Sequence, residues 1–214
     1  MPQNPPDILM IRLKAETREL HTYAEKRPLQ QQIAAGTVDR AAFAAYLGQL
    51  YLAHHALESA LARSRGLRPE ISAVATAERM RVPELERDLE YYGIDPTALG
   101  PDPATTRFAA EVAETERSAA VALLGSLYVL EGSTNGGRFL ARRLRQAWDL
   151  DGRGLDYLDP YGEEQPQRWA EFKLQMDSLP LSAAERDAVV AAAAATFRAI
   201  ADISDDVARR TGAV

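Results

Sequence analysis

Three histidines, His21, His54 and His55, and no cysteine make up the imidazole and thiol inventory of this chain. Disulfides, thiolate metal sites, iron–sulfur clusters and cysteine nucleophiles are thereby excluded, and any metal must be held through histidine or carboxylate. His21 follows Thr17 by one turn of a helical pattern and has Glu25 at i+4. A carboxylate at that spacing can accept one ring N–H and fix the tautomer that leaves the other nitrogen free to bind a metal. A partly buried histidine paired with Glu25 for helix stability fits the same spacing. His54 sits on the apolar stripe Phe43, Leu47, Leu50, Leu57 and Leu61, so position alone does not choose between it and His21. His55 lies off the stripe and is expected to be solvated. None of the three has Glu at i−3, which argues against a ferritin-like carboxylate di-iron centre.

The second unusual feature is the run from Gly125 to Arg138, GSLYVLEGSTNGGR, flanked by good helix formers. Glycine inside a helix costs about 1 kcal/mol relative to alanine, so four of them give up roughly 3–4 kcal/mol that something must offset. Gly125, Val129, Gly132 and Gly136 share one helical face, which offers bare backbone against which a flat ligand can lie, and Gly136-Gly137 permits a bend. Close approach of another helix would explain the small residues equally well. Glu131, Arg138, Arg142, Arg143 and Arg145 charge the segment against membrane dimerisation. The string lacks the GxxxxGK[ST] pattern of a phosphate loop.

These residues need helices to carry them. Apolar positions recur at helical spacing from Asp7 to about Lys26, and Thr37-Val-Asp-Arg opens a long second helix that Gly66 ends. A shorter helix is expected from about Pro83 to Tyr92, another from Asp102-Pro103 to Ser118, and a long glycine-bearing one between Ala119 and Leu150. Residues 151–162 read as a loop. Gln165 to Ser178 and Ser182 to about Arg210 complete the set, the last opened by the capping box Ser182-Ala-Ala-Glu185. Seven or so helices and no convincing strand predict an all-α bundle in one domain over 7–214, preceded by a Pro-rich flexible tail over 1–6. With 46% hydrophobic residues among 214, the core is ample. A formal net charge of −6 supplies no basic field for nucleic acid. No stretch reaches the ~20 apolar residues of a membrane span, and the N-terminus lacks a secretion pattern, so no membrane partner is expected and the cytoplasm is the expected address.

Two separated motifs, in order, carry a resemblance to a known family. The segment Leu13-Lys-Ala-Glu-Thr-Arg-Glu-Leu-His21-Thr-Tyr-Ala-Glu25 resembles the proximal-helix motif of haem oxygenases, and Tyr128-Val-Leu-Glu-Gly-Ser-Thr-Asn-Gly-Gly137 resembles their distal helix, notably in bacterial members associated with bacteriophytochromes. The likeness extends through Phe43 to Leu61 and, more weakly, from Trp169 to Phe197.

The resemblance implies a haem-oxygenase-like bundle holding haem between a proximal N-terminal helix and a kinked distal helix. It makes His21 the axial iron ligand, Glu25 its orienting neighbour, and Gly132, Gly136 and Gly137 the bare wall opposite, with Gly136 helping to steer oxygen toward one meso edge. Lys14 matches a position that pairs with a haem propionate, Lys173 falls where the family commonly has arginine for the same task, and Arg168 is a nearby reserve. Phe197 resembles an aromatic of the pocket wall. The implied activity is cleavage of haem, at once cofactor and substrate, to biliverdin, CO and iron, with electrons from an external donor such as ferredoxin or a reductase and a photoreceptor as a candidate user of the product. The chain departs from the pattern at Ser133, where many members have aspartate, at Val129, where mammalian members have arginine, and at Asn135. His54, where some members have tyrosine, is expected to supply the missing polar anchor together with Ser133. A non-catalytic haem carrier, a thiaminase-like hydrolase (which would need a nucleophile such as cysteine) and a helical protein without ligand are the competing readings.

Overall fold

The computed structural model describes residues 8–213, which form nine α-helices and no strand among the described residues. They are α1 (Leu9–Glu25), α2 (Pro28–Ala35), α3 (Arg40–Ser64), α4 (Pro69–Val74), α5 (Val82–Tyr91), α6 (Pro103–Ala119), α7 (Leu123–Trp148), α8 (Gln165–Ser178) and α9 (Ala183–Thr211). The tail expected over residues 1–6 lies outside the described residues.

Local chemistry accounts for most boundaries. Asp39 caps α3 by accepting from the N–H groups of Ala41 (2.8 Å) and Ala42 (3.2 Å). Ser182 and Glu185 form the reciprocal capping box at the start of α9, which ends at Gly212 in the left-handed conformation (φ 72°). Two helices depart from the sequence expectation, α2 and α4. Each begins at a proline and is too short for periodicity to register, with only Leu29 and Ile33 buried on α2 and Ile71 and Val74 on α4.

The long C-terminal helix α9 packs against α1, α2, α3, α6 and α7, and so sets the spacing of the others. Its closest neighbour is α7. A Cβ at Gly125 would overlap the carbonyl oxygen of Val189 on α9, so only glycine lets the two backbones meet there. Buried Thr196 of α9 donates to Ser126 of α7 at 2.9 Å in the same contact. The α1 end is tied to α8, where the Asp177 carboxylate accepts the backbone N–H of Met10 at 2.9 Å.

The glycine face therefore divides its duties, a correction to its reading as one ligand-facing surface. Gly125 serves helix packing, and a Cβ at Gly137 would meet the Leu158 carbonyl of the following loop, whereas nothing stands within 4 Å of a Cβ at Gly136. Gly125→Ala is accordingly expected to destabilise the fold by about 1–3 kcal/mol through overpacking, while Gly136→Ala leaves stability unchanged or raises it by up to about 1 kcal/mol. Urea unfolding of the two variants checks this, and the reverse order would refute the division.

Candidate functional site

Between α1 and α7 lies a cavity of about 810 Å³, within the range of small-molecule sites. One wall is α1, whose i, i+4, i+7, i+11 positions Lys14, Arg18, His21 and Glu25 face it. Opposite runs α7, presenting Val129, Gly132, Ser133, Gly136 and Gly137. Tyr157, Trp169, Lys173 and Phe197 close the remaining sides from the loop after α7, from α8 and from α9.

His21 stands at the open side of this cavity, its side chain 56% exposed. The ring meets Phe197 edge-on at 5.5 Å, and Nδ1 lies 3.4 Å from Glu25 Oε2. That carboxylate favours the proton on Nδ1, which leaves the lone pair of Nε2 for a ligand. Across the cavity the α7 backbone is bare at Gly136. The Trp169 ring edge would stand 3.4 Å from a Cβ at Gly132, and the ring itself stacks on Phe172 at 5.2 Å.

Three cations border the cavity without a carboxylate partner among the described residues: Lys14, Arg18 and Lys173. Arg168 does not join them, a correction to its expected role. Its guanidinium is bound by Glu164 (2.8 Å) and by Glu78 (2.7 Å), and it does not line the cavity.

His54 is also displaced from expectation. It is 2% exposed and lies behind Tyr157 rather than on the cavity wall, with Nε2 at 3.2 Å from the Tyr157 hydroxyl and Nδ1 at 3.2 Å from Glu58 Oε1. The group that reaches the cavity is Tyr157. Burial pushes its phenol up to about 12, partly relieved by a hydrogen bond with Ser133, so it stays protonated and able to donate. Ser133 in turn donates to the Leu130 carbonyl at 2.7 Å.

Tyr157 is held in place by Asp88, a fully buried carboxylate on α5 that accepts the N–H groups of Asp156 (2.8 Å) and Tyr157 (2.9 Å). Behind α7, buried Glu131 accepts from the Tyr161 hydroxyl at 2.9 Å and faces Arg81 at 3.7 Å, which ties the distal helix to the same loop. Arg18, Tyr157, Trp169 and Glu58 are site residues that sequence reasoning missed. Arg18 had a legible signal, since it lies between Lys14 and His21 on the same helical face, and so did Glu58, which stands at i+4 from His54 as Glu25 does from His21. Tyr157 and Trp169 come from segments brought in by tertiary packing.

Asp88→Ala is expected to cost about 2–4 kcal/mol, because each of two buried N–H groups loses its acceptor at roughly 1–3 kcal/mol. Burial also raises Asp88 from 3.8 to about 6. The folded state thus favours its neutral form, and its contribution to stability is full below about pH 4 and lost as pH rises through about 6. Urea midpoints from pH 4 to 7 should show that decline in the parent and its absence in the variant.

The sequence model of the family described as Heme oxygenase matches residues 7–206. A heme oxygenase of Xanthomonas campestris is 35% identical over 119 residues, covering 56% of this chain and 64% of that protein, so the match spans just under two thirds of the relative's length. Human heme oxygenase 1 is 28% identical over 203 residues, 92% of this chain and 70% of that protein. Among solved structures, heme oxygenase-2 from Synechocystis in complex with heme and NO superposes with a TM-score of 0.89 at 27% identity, covering 96% of this chain and 87% of that one. With a helical bundle, an imidazole facing a glycine wall and a match along nearly its whole length, the chain belongs to the haem oxygenase family.

Proposed function

We infer that this protein binds haem in the cavity between α1 and α7 and opens the ring to biliverdin, CO and iron. The observation that carries the reading is that His21, its Nδ1 facing Glu25 and its Nε2 left for a ligand, lines the same cavity as the bare backbone of Gly136 on the opposite helix. A planar ring fits between an imidazole and a surface without side chains, and its two propionates match the unpaired Lys14, Arg18 and Lys173 at the border. No group of three or more His, Asp or Glu side chains among the described residues can hold a bare metal ion, so iron needs the porphyrin nitrogens to complete its ligands.

Bound haem supplies the redox centre and is itself the molecule oxidised. The protein's work is positional. His21 ligates, with Glu25 setting its tautomer, and the neutral imidazole lacks the electron push of a thiolate. Lys14, Arg18 and Lys173 set which edge points inward, while Gly132, Gly136 and Gly137 crowd the far side so that small ligands are steered toward one edge. Phe197 holds the His21 ring edge-on. Tyr157, seated between Ser133 and His54, supplies the polar contact that an aspartate provides in many members. Electrons come from an external donor such as ferredoxin or a reductase, and the product is available to a photoreceptor. No helix among the described residues is long and apolar enough to cross a membrane. The cytoplasm, where such reductants are found, is the proposed site of action.

A hemin titration of the parent beside His21→Ala tests the assignment. The parent is expected to give a sharp Soret band and, with ascorbate or a ferredoxin–reductase pair, a biliverdin band; His21→Ala should lose the ligated spectrum and at least about 90% of turnover. An identical spectrum from the alanine variant refutes the ligand, and binding without biliverdin would instead identify a haem carrier. Lys14→Ala and Lys173→Ala should each weaken hemin binding roughly three- to tenfold, whereas Arg168→Ala should leave it unchanged.

A further inference from the structure

We propose that Glu58 and His54 turn the Tyr157 hydroxyl hydrogen away from the cavity, so that the wall made by Tyr157 and α7 presents acceptors and takes a small hydrogen-bond donor in preference to an anion. The proposal rests on the haem reading and deepens it by naming the class of small ligand that the far side of the ring admits. The direction of the hydroxyl itself is a property of the protein alone. Glu58 and His54 act through Tyr157 and are positioning residues.

Glu58 Oε1 accepts the backbone N–H groups of Arg81 (2.6 Å) and Val82 (3.2 Å), where α5 begins. Two donors at a helix N-terminus keep this carboxylate an acceptor. The ring nitrogen facing it at 3.2 Å, Nδ1 of His54, therefore carries the hydrogen. A neutral imidazole has only one, so Nε2 is left with a lone pair 3.2 Å from the Tyr157 oxygen. Of these two atoms only the phenol has a hydrogen to give, and it donates to Nε2. Both rings are buried, so water does not compete for that hydrogen. Tyr157 keeps its lone pairs for the cavity that it lines.

The neighbouring hydroxyls of α7 have the same polarity. Ser133 donates to the Leu130 carbonyl and Thr134 to the Glu131 carbonyl, both at 2.7 Å, each turning its hydrogen back onto the helix. Where Ser133 meets Tyr157 its hydrogen is again the one available, because the phenol hydrogen is engaged at His54. Asn135 is the exception, since it has a second amide hydrogen beyond the one given to the Gly132 carbonyl at 2.9 Å. The three hydroxyls of this wall thus meet the cavity with lone pairs. Water and other neutral O–H or N–H groups are held there by donating, whereas a bare anion is repelled.

Hydrogen position and ligand preference are measured separately. At about pH 7.5 an imidazole is ordinarily neutral. Long-range 1H–15N correlation of the parent without hemin, with His54 assigned by the signals lost in His54→Leu, is expected to show hydrogen on Nδ1 and a bare Nε2. Hydrogen on Nε2 overturns the proposal whatever the variants do. The second measurement is fluoride binding to the hemin complex at the same pH. Tyr157→Phe should bind fluoride as tightly as the parent or up to about threefold tighter, and His54→Leu about five- to tenfold tighter, because the freed phenol hydrogen then donates to the anion. The gain should vanish in the double variant. Weaker fluoride binding by Tyr157→Phe would mean that the phenol already donates to the cavity, and it overturns the proposal. So does a His54→Leu variant with no gain, or a gain that survives in the double variant. A parent that fails to bind hemin sinks the haem reading, a separate failure, since the tautomer is read without hemin. If a variant unfolds, the tautomer of the parent decides.

Discussion

The contact between α7 and α9 at Gly125 is the constraint from which the site follows. Both α1 and α7 pack on α9, so the gap between them, and with it the cavity, is set by how closely each approaches that common support. On the α7 side no side chain separates the two backbones, since the Val189 carbonyl occupies the space of a Cβ at Gly125. Further along, the same helix lines the cavity with Gly132, beside the Trp169 ring, and with Gly136, where nothing stands within 4 Å of a Cβ. One helix thus uses the absence of side chains twice, for opposite purposes. The helix-propensity cost of about 1 kcal/mol per glycine is offset at Gly125 by packing, while Gly136 leaves bare backbone at the cavity.

Charge is distributed along the same axis. The chain is acidic overall, with a formal charge of −6, and most of its arginines are bound by carboxylates. The three cations at the cavity border are exceptions among the described residues, and unpaired cations beside an apolar cavity are what a planar, dianionic ligand would neutralise. The interior is the reverse. Asp88 and Glu131 are buried, both pushed upward by desolvation, and both hold the loop that carries Tyr157 and Tyr161. Their charge is spent on backbone and phenol donors, which makes them anchors of the loop and not members of the ligand site.

The parts of this arrangement legible in the sequence are those encoded within one helix. His21 with Glu25 at i+4, the glycine face, the capping box at Ser182 and the all-helical class each rest on spacing inside a single element, and spacing survives folding. The resemblance of two motifs then ordered them on opposite sides of one ligand. What was not legible depends on contacts between elements. Arg168 read as a free cation until Glu78, from a distant turn, proved to be beside it. His54 read as cavity-facing because periodicity reports the buried side of a helix but not what covers it, and Tyr157, from a loop with no periodicity, is what covers it. The short helices α2 and α4 were missed because fewer than three turns leave too few apolar positions to define a face.

Ser133 stands on a cavity wall whose polar support lies behind it. An acid directly on the cavity wall would be an anion next to the ligand, solvated through waters. Here the nearest carboxylate to His54 is Glu58, satisfied by the N–H groups of Arg81 and Val82 at the start of α5; it meets His54, which in turn meets the Tyr157 hydroxyl. The far wall of the cavity presents uncharged polar side chains, among them Ser133, Thr134, Asn135 and Tyr157. The geometry depends on Asp88 as well, because a Tyr157 freed from its two backbone anchors would no longer be held within reach of both His54 and Ser133. The placement of Tyr157 at the cavity is therefore set from α5, an element that contributes no side chain to the cavity wall.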